Sequence, residues 1–477
     1  MKPLGVWGRS REAAGSPQCG APGFTPGAHS KGPTLAFWSP LPPSSSGIAD
    51  YVAEQLAALP PGADVMAVVE DPAAVDPGLR ARFNVVDPAG AQGAALHVYH
   101  LGNSPPHAYV YRAALATPGV AVLHEWSLHH LVLHETVERG DVWAYLREMR
   151  RAHGQEGSFV GRQVARALGG EILPALFPLN DRVLEGSLAV VGLTDLVCRQ
   201  ARRRLPGRPV LHLPHHLSLP LAPRPDRAAA RAALGLPRDA LLVTAPGLAT
   251  VSKRIDVAVR ALGRLAATYP SLRLVVAGAA EPGLPLPEWA AARGVAQRVT
   301  VTGRLEMDDF IRHLCAADVV LSLRFPSHGE ISGALVRALG VGRPCLVTAG
   351  TPAAEEFPEG VVAPVDPGPS EEDELVALLD RLLSRGALRE RMGALAAAHV
   401  HHRHDAARLG ETLLGFLRDV HAQRTVLAAQ VEETRGGGDG LLAFLGEEVR
   451  WGARDLGLPG LDLGLRPLLA PLAEPRP

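Results

Sequence analysis

Residues 318–345 read DVVLSLRFPSHGEISGALVRALGVGRPC, and this stretch decides the fold. The branched apolar run at 319–323 has the length of a strand that is covered on both faces. A polar loop with Glu330 follows, and then a short helix that we expect Ser332 to cap and the sequence Gly-Arg-Pro at 342–344 to end. Ligands of open α/β sheets bind at the carboxyl ends of the parallel strands. Because the N–H groups at the start of this helix are free, the sequence predicts that an anion, such as a phosphate, binds there.

Length, charge and cysteine content limit the class of protein. The chain has 477 residues, about three times a typical domain, which favours two large domains with appendages. Its net charge of −1 gives no reason to expect a nucleic-acid partner. Four cysteines without a CxxC pair, a start without the apolar segment of a signal peptide, and no membrane-length apolar run predict a cytoplasmic protein. A peripheral contact with the inner face of the membrane and the oligomeric state stay open.

Alternating strand and helix patterns form two groups, which predict two Rossmann-like, doubly wound α/β domains. Ten runs are predicted as strands: 34–38, 65–69, 96–99, 120–123, 188–191, 241–244, 272–277, 299–302, 319–323 and 345–348. In chain order the predicted parts are a disordered tail (1–32), a first domain (33–218), a proline-rich linker (219–226), a second domain (227–400), a helix that packs back on the first domain (401–430) and an appendage of unknown structure (431–477).

Four motifs follow one another along the chain: PSSSGIADY at 43–51, VLHEW at 122–126, GLATVSKRID at 247–256 and GEISGALVRALGVGRP at 329–344. Taken in this order, they resemble those of the retaining glycosyltransferases of family four, which have the two-domain GT-B fold. The resemblance implies that the two domains face each other across a cleft, with the acceptor on the first and a nucleotide-sugar donor on the second. It also implies transfer of a sugar to an acceptor hydroxyl with retention of configuration.

The first two motifs contribute Gly47 and His124. Gly47 stands at a helix start, where a glycine allows close approach of the backbone to a phosphate or sugar. The resemblance implies that His124 contacts the donor sugar or its reacting centre, while a structural histidine is the other interpretation. Glu125 replaces the aspartate that is commoner in the family. A zinc protease motif is excluded, because His-Glu-x-x-His would need a histidine where Leu128 stands.

The third motif runs from Gly247 to Lys253 and Arg254. Lys253 is the only lysine beyond residue 31 in a chain that otherwise uses arginine, which suggests a site that needs a compact ammonium. The resemblance implies that Lys253 and Arg254 grip the donor diphosphate; a solvated surface charge is the alternative. Leu248 stands where many members of the family carry arginine, and Arg254 is expected to compensate.

The fourth motif is the opening stretch. Members of the family usually carry two glutamates separated by seven residues, and here Glu330 is the surviving acidic residue while Arg337 stands at the second position. Glu330 would orient the donor sugar, with Ile331, Ser332 and Gly333 beside the phosphates. An arginine cannot accept hydrogen bonds from ribose hydroxyls. Arg337 is therefore expected to reach a phosphate or to point elsewhere.

Two smaller patterns complete the set of candidate residues. Arg304 and Leu305 follow a predicted strand and resemble the loop that meets the nucleobase, although a plain turn fits equally well. The histidine-rich run 401–405 suggests a metal site, but a solvated helix edge is favoured. The sequence contains no Asp-x-Asp motif, which favours a transferase that needs no metal ion and no other cofactor.

The sequence thus predicts a cytoplasmic, hexosyltransferase-like GT-B enzyme with His124, Lys253 and Glu330 as its catalytic residues. Its partners would be a nucleotide-sugar and a glycan, lipid or small-molecule acceptor. Two alternatives stay open. One is a catalytically degenerate relative that binds a nucleotide or glycan without turnover, and the other is a different GT-B enzyme such as a phosphorylase or sugar epimerase.

Overall fold

The computed structural model describes residues 32–44, 46–168, 170 and 172–435. Its strands are β1 (Leu35–Trp38), β2 (Val65–Val68), β3 (Asn84–Val86), β4 (Leu96–Leu101), β5 (Val120–Leu123), β6 (Ala189–Gly192), β7 (Val210–His212), β8 (Leu241–Pro246), β9 (Leu272–Ala277), β10 (Val299–Val301), β11 (Val319–Ser322), β12 (Cys345–Thr348) and β13 (Val362–Val365). They form one sheet of seven strands in the order β3-β2-β1-β4-β5-β6-β7 and one of six in the order β10-β9-β8-β11-β12-β13.

The α-helices that the structure describes cover both sheets. They are α1 (Gly47–Ala58), α2 (Pro77–Arg82), α3 (Ala108–Ala116), α4 (His129–Glu135), α5 (Val142–Val164), α6 (Ile172–Leu176), α7 (Asp181–Glu185), α8 (Asp195–Arg204), α9 (Arg227–Ala233), α10 (Ile255–Leu265), α11 (Leu286–Ala292), α12 (Met307–Ala316), α13 (Gly333–Gly340), α14 (Pro352–Glu355), α15 (Glu371–Ser384), α16 (Gly386–Arg403), α17 (Ala406–Ala422) and α18 (Arg424–Arg435).

Every strand pair in both sheets is parallel. In each sheet the chain winds first to one side of the starting strand and then to the other, so the order reverses between β1 and β4 and between β8 and β11. Crevices at the carboxyl ends of strands lie where the order reverses. The prediction of two doubly wound, Rossmann-like domains is confirmed, and Lys253 and Glu330 follow the two strands at the second reversal.

Three strands were not predicted from the sequence, and all three lie at sheet edges. β3 and β7 have only three residues each, too few for an alternating or apolar run to stand out. β13 contains Pro364, which cannot donate to a ladder and is tolerated here because the strand is at the edge. Short or proline-containing edge strands leave little periodic signal in the sequence.

The chain returns to the first domain after the second. The region predicted as one helix at 401–430 contains the end of α16, all of α17 and part of α18. α17 lies so close to α1 that a Cβ on Gly410 would be 2.5 Å from the Ala58 carbonyl oxygen. At the end of α18, Arg435 donates a hydrogen bond to the Leu115 carbonyl at 3.1 Å. The predicted appendage beyond residue 435 and the predicted tail before residue 32 lie outside the described residues.

A buried ion pair joins α9 to the start of β11. Asp318 is 3% exposed and accepts hydrogen bonds from Arg231 at 2.6 Å, Arg227 at 2.5 Å and the N–H of Leu242 at 2.8 Å. Arg231 is equally buried. Because a buried charge is tolerated when it is paired and hydrogen-bonded, Asp318 and Arg231 depend on each other.

Candidate active site

The loop between β11 and α13 lies against the first domain. The carbonyl of His328 accepts hydrogen bonds from the N–H groups of Trp126 at 2.6 Å and Ser127 at 3.3 Å. The carbonyl of Gly329 accepts one from Thr194 Oγ1 at 3.0 Å. Gly329 has a φ of +89°, and a Cβ there would lie 3.0 Å from Trp126 Cβ. A glycine is therefore needed where this loop meets the strand ends of the other sheet.

Glu330 is held within this loop by three neighbours. Its Oε1 lies 2.9 Å from Nε of Arg324, and its Oε2 accepts hydrogen bonds from the N–H of His328 at 2.6 Å and the hydroxyl of Ser327 at 3.3 Å. These contacts fix the direction of the carboxylate. The sequence interpretation did not name Arg324, although it is the first cation after β11 and could have been found on that ground.

Lys253 lies beside a close approach of two glycines. Gly247 has a φ of +81°, and a Cβ on it would be 2.9 Å from Nζ of Lys253. The Nζ donates a hydrogen bond to the Pro246 carbonyl at 2.8 Å. Gly278 packs on Gly247 so closely that a Cβ at 278 would lie 2.4 Å from the Gly247 carbonyl oxygen. Gly247 thus makes room for the ammonium.

One small pocket lies between Lys253 and Arg324. Lys253 and Arg324 line it together with Ser332, and its other walls come from Ala245, Pro246, Ile255, Leu321, Ser322 and Leu323. Burial, and then the charge of Arg324, lower the pKa of Lys253 to about 7. Two cations and the first N–H groups of α13 around a partly dehydrated pocket form a site suited to an anion with several negative oxygens.

Arg254 does not face this pocket. It has a left-handed φ of +56° at the start of α10, and its guanidinium hydrogen-bonds the carboxylate of Glu371 on α15. Leu248 is half exposed. Arg254 is thus paired with a buried carboxylate, and its expected compensation for Leu248 stays a prediction.

Arg337 crosses from the second domain to the first. Its Nη2 donates to both carboxylate oxygens of Glu54, at 2.6 and 2.8 Å, and His216 Nε2 lies 3.2 Å from the same carboxylate. Burial raises the pKa of Glu54, but the hydrogen bond from His216 and the charge of Arg337 outweigh it and lower the pKa to about 2. Arg337 is 7% exposed and belongs to an interdomain ion pair, which leaves the expected contact with the donor unsupported.

His124 belongs to a cluster of buried histidines. Its Nε2 lies 3.1 Å from Nδ1 of His100, and its ring meets the edge of Tyr51 with a centroid distance of 4.9 Å. The rings of His215 and His216, from the segment between the domains, also contact Tyr51. Burial and then the neighbouring histidines hold the pKa of His124 well below its usual value. His124 is thus a neutral imidazole at the boundary of the two domains.

The remaining predicted residues lie around these groups. Gly47 is exposed at the start of α1, and a Cβ there would meet nothing within 4 Å, so its surroundings leave space for a ligand. Arg304 is exposed, Leu305 half-buried and Ile331 buried. A Cβ on Gly333 would lie 2.7 Å from Nε2 of His215, which was not among the predicted site residues.

Ser332 and the histidine-rich run differ from expectation. Ser332 stands at the start of α13, but its side chain makes no capping hydrogen bond. Residues 401–403 are exposed as a solvated helix edge, whereas His404 is buried and donates a hydrogen bond to the His215 carbonyl at 2.6 Å. In the described part of the chain, no three histidine, cysteine, aspartate or glutamate side chains are grouped to hold a metal ion.

Glu125 connects the strand end after β5 to the β11–α13 loop. One oxygen accepts a hydrogen bond from the N–H of Asn103 at 2.9 Å, and the other lies 3.7 Å from Nδ1 of His328. Burial lowers the pKa of His328, but the hydrogen bond and charge of Glu125 more than offset it and raise the pKa. Asn103 and His328 were not among the predicted residues, because loop residues that meet only in space carry no spacing signal.

Two facing Rossmann-like domains with a cationic pocket at the strand ends define a protein of the GT-B class. The family match makes the identification more specific. Residues 226–399, which make up the second domain, match the family described as glycosyl transferases group 1. The resemblance predicted from the motifs is confirmed at this level.

Curated relatives match part of the chain. A D-inositol 3-phosphate glycosyltransferase of Streptomyces griseus is 37% identical over 188 residues, which are 36% of this chain and 38% of the relative. A GDP-mannose-dependent monoacylated alpha-(1-6)-phosphatidylinositol monomannoside mannosyltransferase of Corynebacterium glutamicum is 28% identical over 43% of this chain and 55% of its own length. The matches thus span less than two thirds of these relatives.

Solved structures share the fold over most of the chain. HepE of Anabaena in complex with UDP and glucose has a TM-score of 0.57 at 15% identity, covering 81% of this chain and 100% of that one. Sucrose-phosphate synthase of Thermosynechococcus elongatus has a TM-score of 0.59 at 17% identity, covering 82% and 99%. At such low identity these likenesses establish the architecture.

Proposed function

We propose that the protein is a retaining, metal-independent glycosyltransferase that moves a sugar from a nucleotide-sugar to an acceptor hydroxyl. The observation that carries the proposal is the pocket between β8, β11 and α13, where Lys253 and Arg324 meet the start of a helix. A nucleotide-sugar presents a diphosphate with several anionic oxygens, and such a pocket suits it. The names of the relatives and of the HepE complex support this class of donor.

The residues around the pocket would have different roles in the reaction. Lys253, Arg324 and the N–H groups at the start of α13 would bind the diphosphate and stabilise the charge that develops on the leaving phosphate. In this role the two cations would replace a divalent metal ion. Glu330, whose direction is fixed by Arg324 and the His328 N–H, would orient the donor sugar. His124 would line the reacting face as a neutral imidazole.

We place the acceptor on the first domain and the protein in the cytoplasm. The free thiols of Cys198, Cys315 and Cys345 are all buried, which suits a reducing compartment. Among the described helices, none combines the length and apolar character that crossing a bilayer requires. The relatives' names contain an inositol phosphate and a phosphatidylinositol mannoside, so polyol and glycolipid hydroxyls are the first acceptors to test.

The donor is tested by binding first and turnover second. Thermal-shift measurements with UDP, GDP and ADP should select one nucleotide, and its sugar conjugates are then incubated with inositol phosphates and glycolipids. We expect nucleotide release that depends on an acceptor, survives EDTA, and yields a product with the donor's anomeric configuration by NMR. Nucleotide binding without turnover on any pair would instead favour the degenerate relative, and reversal of configuration would overturn retention.

The pKa of Lys253 predicts how donor use depends on pH. Below about pH 7 the free site carries an ammonium, and above it the amine becomes neutral. Because kcat/KM reports ionisations of the free enzyme, we expect kcat/KM for the donor to fall as the pH rises through about 7. The variant Lys253→Arg stays charged, so its lower kcat/KM should not show this fall. A wild-type profile that keeps rising through this range would contradict the assignment.

A further inference from the structure

Asp50 is a half-buried carboxylate on the face of α1 that meets the second domain. It stands four residues before Glu54, and side chains four residues apart lie on the same face of a helix. Glu54 is ion-paired with Arg337 of α13, so this face of α1 turns toward the second domain. Asp50 itself accepts no hydrogen bond and forms no ion pair with any residue that the structure describes. A carboxylate at the cleft is thus left available for a ligand.

Two elements of the second domain surround Asp50. Burial raises the pKa of Asp50 above its usual value, although the charge of Arg337 on α13 lowers this pKa. The charge of Arg304, in the loop between β10 and α12, also lowers the pKa of Asp50, whereas that of Glu306 in the same loop raises it. Asp50 therefore lies within electrostatic reach of both α13 and the β10–α12 loop.

Arg337 has an unused hydrogen-bond donor near this carboxylate. Its Nη2 donates to Glu54, but its Nε is buried and has no hydrogen-bond partner among the described residues. A buried N–H group without a partner is uncommon in native proteins, and it costs free energy unless a water or a ligand satisfies it. An acceptor without a donor and a donor without an acceptor thus lie near each other at the domain boundary.

The chemistry of these two groups indicates the kind of ligand. Asp50 and Glu54 would repel a further phosphate, and Arg304 and Arg337 would repel a metal cation. A hydroxyl group can donate to a carboxylate and accept from a guanidinium N–H at the same time. A pair of neighbouring hydroxyls therefore fits this place better than an ion does.

The order of the strands indicates which hydroxyls these are. β10, which precedes Arg304, lies on the opposite side of β8 from β11, whose loop holds Glu330. The pocket for the diphosphate lies between β8 and β11. A donor whose diphosphate fills this pocket and whose sugar meets Glu330 would extend its ribose away from Glu330, toward Arg304 and Asp50.

We propose that Asp50 accepts hydrogen bonds from the ribose hydroxyls of the donor nucleotide, and that Nε of Arg337 donates to one of them. The inference rests on the proposed function, because it takes a nucleotide-sugar as the donor. It assigns the carboxylate that recognises ribose to the first domain, whereas the diphosphate is bound by the second. The nucleotide would then contact both domains, and its affinity would depend on a residue outside the domain that holds its phosphates.

The test compares nucleotides with and without their ribose hydroxyls. Calorimetric titration of the full chain with UDP, GDP and ADP identifies the nucleotide that binds, and its 2′-deoxy and 3′-deoxy forms are then titrated in the same way. Because hydrogen bonds to charged groups are strong, we expect the loss of at least one hydroxyl to weaken binding to the wild type about tenfold or more. Asp50→Ala should bind the ribonucleotide about tenfold more weakly and should distinguish it from the deoxy forms by less than about twofold.

Glu306→Ala is the matched control, because it removes an exposed carboxylate whose charge acts on Asp50 from the second domain. This variant should keep the wild-type preference for the ribonucleotide. Asp50→Asn retains the shape of the side chain and replaces Asp50→Ala if that variant does not fold; it should also reduce the preference. Full preference in the Asp50 variants, or none in the wild type, would overturn the inference and leave the proposed function standing. Wild-type protein that binds none of the three nucleotides would overturn both.

Discussion

Replacing Lys253 with alanine is expected to lower turnover about 100-fold or more while the protein stays folded. Removing one group that stabilises developing charge costs about 3–4 kcal/mol of transition-state stabilisation. In the described structure, Nζ of Lys253 donates its hydrogen bond to one carbonyl, that of Pro246. Truncating the side chain therefore breaks no ion pair. Initial rates at saturating donor, with the melting temperature of the variant, measure the two effects separately.

The neighbouring residue supplies the control for this prediction. Arg254→Ala removes a cation one position away whose guanidinium is paired with Glu371 rather than facing the pocket. We expect this variant to lose stability more than turnover. Near-wild-type turnover of Lys253→Ala, or an equal loss of turnover in Arg254→Ala, would contradict the division of roles between the two cations.

Replacing Asp318 with alanine is expected to have the largest effect on stability. The change leaves Arg231 buried without its counter-charge and the N–H of Leu242 without its acceptor. Breaking a buried ion pair by removing one partner typically costs about 3–5 kcal/mol. Chemical denaturation followed by circular dichroism should show that the second domain of the variant unfolds at a lower denaturant concentration than that of the wild type.

A surface pair on the same domain provides the comparison. Asp309 pairs with Arg312 at 2.6 Å, and half of its side chain is exposed. Because solvent screens such pairs, Asp309→Ala should change the free energy of unfolding by less than about 1 kcal/mol. If Asp309→Ala and Asp318→Ala changed the free energy of unfolding equally, burial would not explain how much Asp318 contributes to stability.

Local sequence determined most of the fold and part of the site. The parallel strands next to the site are buried on both faces, so β8 and β11 appear as apolar runs that need no tertiary information to detect. The pairing of Gly247 with Lys253 could likewise be predicted, because seven residues of one loop bring them together. Arg324 was within reach of the same argument, since it directly follows a buried strand.

Other parts of the site depend on contacts between distant residues. Arg254 and Glu371 are 117 residues apart, and Arg337 and Glu54 are 283 apart. Whether an arginine meets a ligand or a carboxylate is decided by the packing of whole helices, which sequence spacing does not encode.

The hydrogen bonds from Trp126 and Thr194 to the β11–α13 loop have a mechanical consequence. Glu330 follows directly after the two carbonyls that these first-domain groups hold, so the position of its carboxylate is coupled to the angle between the domains. A rotation that separated the sheets would pull on His328 and Gly329 and displace Glu330. Domain closure would then set the geometry of the proposed sugar site.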